Sequence, residues 1–178
     1  IKSLTLNGGT ITDLAGNTSL LELPVPAASG SLAANQNIVI DGIRPTVSAI
    51  GTRGGTGLYG IGDPIIVEVT FSENVVVTGQ PTITLETGAQ DLLCTYAAAT
   101  GTSTLSFRGI VVAGHAAEDL DYTSTTALTG DIRDPGGNPG TLTLAAPANP
   151  GSLAANEDVV IRTPELAYTQ EGEVDDAR

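Results

Sequence analysis

The sequence predicts an all-β protein built as an antiparallel β-sandwich, and three observations carry that reading. Short segments rich in Val, Ile, Leu and Thr alternate with Gly-, Asn- and Pro-bearing turns at intervals of roughly 8–12 residues, the rhythm of strands in a sandwich. No stretch sustains a helical apolar period. The hexapeptide Gly-Ser-Leu-Ala-Ala-Asn occurs at residues 30–35 and again at residues 151–156, with Ser31 and Ser152 standing 121 positions apart. The same offset carries Ile11, Asp13, Gly16 and Asn17 onto Ile132, Asp134, Gly137 and Asn138. It also carries Leu23 onto Leu144, and Ile38-Val39-Ile40 onto Val159-Val160-Ile161. The chain therefore reads as a tandem repeat of about 121 residues: one full copy preceded by the final third of another. A unit of that length buries its own core, so each copy is expected to be a separate domain.

In chain order, residues 1–43 read as the C-terminal strands of a preceding repeat, with short β segments at residues 4–6, 11–13, 19–23 and 37–40. Too few to close a sandwich, they must pack on the missing front of their own repeat, on the next domain, or on a neighbouring chain. Asp41-Gly42-Ile43-Arg44-Pro45 is the expected joint between units, restricted by Pro45. The complete repeat covers residues 44–163. It opens with a strand at residues 46–50 and a Gly-rich loop at 51–63. In the strand at residues 64–71, Ile65, Val67, Val69 and Phe71 share the core face, opposite Ile66, Glu68 and Thr70. Further strands are expected at residues 75–77, 82–85, 91–97 and 103–112, after which the closing third replays residues 4–40. Residues 164–178 form an acidic linker or tail.

Composition removes several functions. The formal net charge is −13 and the only lysine is Lys2, so the cationic footprint that nucleic-acid binding requires is missing. Lys2 also stands outside the complete repeat, which excludes an internal Lys–Asn crosslink there. Cys94 is the single cysteine and rules out an intrachain disulfide; its alternation with Leu92 and Tyr96 makes it a small buried hydrophobe. The chain opens on Ile1 and carries no signal peptide and no membrane-length apolar run, so it reads as an excerpt of something longer.

Several motifs in fixed order support a resemblance. They are Tyr59-Gly60-Ile61-Gly62-Asp63, Val69-Thr70-Phe71-Ser72-Glu73, Gly79-Gln80-Pro81-Thr82-Ile83 and Asp119-Leu120-Asp121-Tyr122, closing on Asp134-Pro135-Gly136-Gly137-Asn138 and the second hexapeptide. Over residues 1 to about 163 the chain resembles the SWM-type, flagellar-system-associated bacterial Ig-like surface repeat, strung in tandem in very large adhesin-like proteins. The resemblance implies an Ig-like sandwich and an extracellular, secreted or cell-surface structural array, with neighbouring repeats or identical subunits as partners and strand complementation into filaments as one mode of assembly. Arg162 stands where the preceding copy has Asp41, so the C-terminal joint is expected to differ.

No catalytic constellation emerges, and the expectation is that the protein is not an enzyme. His115 and Cys94 are the only pair of their kind, with Cys94 facing inward from a strand. Calcium is the better-founded chemistry, because it takes six to eight oxygens from carboxylates and carbonyls. Asp41 in the joint, Glu73 after a core strand, and Asp119 and Asp121 at a loop end are the candidate ligands. The Asp13-to-Asn17 and Asp134-to-Asn138 segments read as structural turns, in which Asp and Asn cap their own backbone. The competing class is an Ig-like binding module for a glycan or protein, using the loops at residues 51–63 and 113–121, with Tyr59 and Tyr122 as the aromatic candidates.

Overall fold

The computed structural model describes residues 4–98 and 102–164, and the chain divides into two units between Asp41 and Gly42. The acidic stretch at residues 165–178 lies outside the described residues. The division falls two residues ahead of the 43/44 boundary expected from sequence.

In the first unit the four expected β segments do not pair into a sheet. Among its described residues a lone antiparallel bridge joins Thr12 and Thr18 across a tight turn. The first hexapeptide forms a single helical turn, α1 (Leu32–Asn35). Strands hold when their backbone groups and one apolar face find partners. Among the described residues of this unit there is no second strand to supply them.

The second unit is mostly antiparallel β-structure. Its elements are β1 (Val47–Thr52), β2 (Gly57–Tyr59), β3 (Pro64–Leu85), β4 (Leu92–Ala98), β5 (Thr102–Ile110), β6 (Ala116–Ala117) and β7 (Leu128–Arg133), followed by the helical turn α2 (Leu153–Asn156) and β8 (Val159–Arg162). The sequence predicted three strands between residues 64 and 85; they are one continuous strand of 22 residues. The expected turn at residues 78–81 is an irregularity in the ladder, with Gly79 at φ 78°. A second irregularity lies between Thr70 and Val75 on the β5 side.

Across these interruptions β3 changes partners. Its first half pairs with β1 and β5, and its second half with β7 and β4. Because β4 and β5 also pair with each other, the hydrogen bonds run in a closed circuit through β3, β5 and β4. A small second sheet sets β8 between β2, which runs parallel to it, and β6, which runs antiparallel.

The core follows the alternation read from sequence. Ile65, Val67, Val69 and Phe71 are buried, and the same odd-numbered parity continues through Val75, Ile83 and Leu85. Cys94 lies in this core, and burial pushes its thiol pKa up to about 12. The rings of Tyr96 and Phe107 meet edge to face at 6.1 Å.

Two glycines are required by packing. Gly130 in β7 has φ 129°, and a Cβ there would stand 2.7 Å from Pro81 Cα. At Gly109 in β5, a Cβ would come within 2.7 Å of Cys94 Sγ and 2.9 Å of Leu92 Cδ1. Gly109→Ala is therefore expected to destabilise the second unit by about 1–3 kcal/mol through overpacking. Urea denaturation checks this, and an unchanged midpoint would mean that β4 yields.

Candidate functional site

The residues that recur at the 121-position offset build the same local geometry twice. In the first copy, Asp13 closes a turn. Its Oδ1 accepts from Asn17 N at 2.9 Å and its Oδ2 from Asn17 Nδ2 at 2.8 Å. In the second copy Asp134 receives the same two bonds from Asn138, at 2.8 and 2.7 Å. Backbone bonds match as well: Asp13 N to Asn17 O at 3.0 Å, and Asp134 N to Asn138 O at 3.1 Å. Gly16 and Gly137 take φ 89° and 92°. These bonds favour the ionised carboxylate. For Asp13, the Asn17 side chain is the largest influence and holds the pKa below its ordinary value. For Asp134, burial pushes upward, but the hydrogen bonds from Asn138, Gly137 and Gly136 outweigh it and the net shift is also downward.

The hexapeptides match in the same way. Ser31 Oγ accepts from Ala34 N at 3.2 Å, and Ser152 Oγ from Ala155 N at 3.2 Å, so each serine caps its helical turn. The N-cap serine ahead of Leu-Ala-Ala is the signal for this turn in the sequence, and a single turn is too short to leave an apolar period. Ala27 and Ala148 even share a positive φ, 70° and 61°.

Only the second copy engages a sheet. Asn156 Nδ2 donates to Ile50 O on β1 at 3.0 Å. The Glu157 carboxylate accepts from Thr52 N at 2.9 Å and from Thr52 Oγ1 at 2.6 Å. Val159 O accepts from Leu120 N at 2.8 Å, while β8 lies along β2. In the first copy Asn35 Nδ2 turns back to Ser31 O at 2.8 Å, and Gln36 occupies the glutamate position. Burial follows this difference. Ile132, Leu153 and Ile161 are 2%, 0% and 1% exposed, whereas Ile11, Leu32 and Ile40 are 46%, 49% and 91% exposed.

Asp121 is buried, and its carboxylate accepts backbone N–H bonds from Tyr122 at 2.9 Å, Ala148 at 2.8 Å and Leu153 at 3.3 Å. It anchors the closing segment to the loop before β7. Asp119 is exposed, and among the described residues neither it nor Asp121 joins a converging group of three or more metal-capable side chains. Glu73 lies on β3 at the core-facing parity, with Oε1 shielded from solvent. Its carboxylate comes within 4.8 Å of that of Asp134, an acid the sequence reading had placed in a structural turn only. Asp41, the first residue of the expected Asp41-Gly42-Ile43-Arg44-Pro45 joint, is exposed and ends the first unit.

The remaining chemical candidates serve the fold. His115 is buried; its Nδ1 accepts from Val112 N at 3.2 Å and its carbonyl from Thr163 Oγ1 at 2.9 Å. Tyr122, one of the two aromatic candidates for ligand binding, is buried and donates its hydroxyl to Ala145 O at 2.7 Å. Burial, and then the Asp121 charge, push its pKa up to about 12. Tyr59 is half-buried and donates to Gly55 O at 3.2 Å. Arg162 pairs with Glu118 at 2.8 Å on the surface. Compared with family models, with curated proteins and with solved structures, the chain matches none.

Proposed function

We propose that this chain is a structural segment of a large extracellular bacterial surface protein, an adhesin-like or fibre-forming array of Ig-like repeats of about 121 residues. The observation that carries the reading is the recurrence, at one fixed offset, of two capped turns with the same hydrogen bonds and the same backbone angles. Similarity of sequence alone would leave open whether the second hexapeptide is a coincidence of turn chemistry; shared caps, glycines and a shared positive-φ alanine argue for a common unit. The resemblance to SWM-type repeats agrees with it. In this reading the protein performs no reaction. Each sandwich is a bead, and Asp41-Gly42-Ile43-Arg44-Pro45 sets the joint to the next. Three copies of residues 44–164 joined head to tail should show as evenly spaced beads by electron microscopy. A single merged particle, or copies that fail to fold, would count against a spacer role.

Calcium belongs to the same proposal. Glu73 and Asp134 supply two neighbouring carboxylates on one unit, on a chain of net charge −13. Asp41 is added on its sequence position at the joint. Calcium at about 100 times its Kd should stabilise by about 2.7 kcal/mol, raising Tm by roughly 5–10 °C, and Glu73→Gln should abolish the rise. A Tm that EDTA and calcium leave alike would remove calcium from the account.

A further inference from the structure

We infer that residues 11–40 are a preformed docking segment whose occupant is the front of another repeat, a β-sheet core of the type made here by residues 44–121. This rests on the repeat reading proposed above and names the partner surface. The second copy displays the arrangement. There the helical turn packs beside β1, Leu153 is fully buried, Asn156 reaches Ile50 O, and β8 runs parallel to β2. The first copy keeps the same turns and the same helical cap without that sheet. Leu32, Ala33, Ile38 and Ile40 line an open cavity of about 340 Å³. The positions aligned with Leu32, Ile38 and Ile40 are Leu153, Val159 and Ile161, all buried. Asn35, folded back on Ser31 O, is the polar group that would swing out to a carbonyl equivalent to Ile50 O.

The front that fits must present three features: an edge strand for parallel pairing with residues 38–40, a free carbonyl opposite Asn35, and a buried carboxylate like Asp121 to receive the N–H groups of Ala27 and Leu32, which correspond to Ala148 and Leu153. The second unit's own front is already closed by residues 134–162, so the occupant is a further copy of the front.

Residue 1 aligns with residue 122, so a second copy of residues 44–121 joined ahead of Ile1 supplies that front in register. Hydrogen exchange is then read in the unmodified chain and in this extended chain. Amides 31–40 should slow by at least about 100-fold on extension, towards the rates of 152–161, and Leu32→Asp should undo the gain. Amides 31–40 that stay fast in the extended chain overturn the inference, whether or not the added front is itself protected. A separate control isolates the underlying reading. Leu153→Asp in the unmodified chain should speed exchange at 152–161. If it does not, the closing role of this segment fails, and the repeat reading with it. If it does while 31–40 stay fast on extension, only the docking inference fails.

Discussion

Leu153→Ala is expected to lower the stability of the second unit by about 2–5 kcal/mol, while Leu32→Ala changes it by less than about 0.5 kcal/mol. The two leucines occupy the same place in the same hexapeptide, directly after a capping serine. Leu153 is fully buried; Leu32 is 49% exposed. Truncating Leu153 removes its buried methyl groups and leaves a cavity beneath the turn that also carries Asn156 and leads into β8. The Asp121 carboxylate, which accepts from Leu153 N, would feel any shift of that turn. Urea unfolding of the two variants, followed by circular dichroism, checks both values. Equal effects would mean that the copies share one environment.

Alkaline pH is expected to destabilise the second unit progressively between about pH 9 and pH 12. Cys94 is raised from its ordinary 9.0 to about 12 by burial, and Tyr122 from 10.0 to about 12 by burial and then by Asp121. Both groups lose a proton to become anions, and both folded values are raised. Above pH 9 the unfolded chain therefore binds fewer protons than the folded one, and stability falls as pH rises. The loss from Cys94 begins near pH 9 and that from Tyr122 near pH 10, and both level off near 12. At about 1.4 kcal/mol per pKa unit the combined loss is several kcal/mol, comparable with the whole stability of an ordinary domain. Cys94→Ala should delay the onset by about one pH unit, as read from urea midpoints between pH 8 and 11. Midpoints that stay level across that range would contradict the placement of both groups.

The parts of the fold legible in the sequence are those set by local alternation and by turn chemistry. The parity of Ile65, Val67, Val69 and Phe71 announced the buried face of β3, and Asp13 and Asp134 announced their turns through Gly and Asn at fixed spacing. The continuity of β3 was hidden, because Gly79 and Pro81 spell a turn locally. It takes β7, with Gly130 against Pro81, to hold the strand through that point. The role of Asp121 was hidden for a related reason. An acid at a loop end reads as solvated, and the amides of Ala148 and Leu153 that bury it arrive 27 and 32 residues later. The neighbour of Glu73 was likewise supplied by tertiary structure, although a glutamate at the core parity of β3 was itself a visible anomaly.

The central claim is that one closing segment exists in two copies, one seated on a sheet and one bare. Residue-resolved hydrogen exchange on the unmodified chain tests it most directly. The amides of Leu153 and of residues 159–161 should exchange far more slowly than those of Leu32 and residues 38–40, by at least about 100-fold. Equal rates in the two copies, fast or slow, would contradict it.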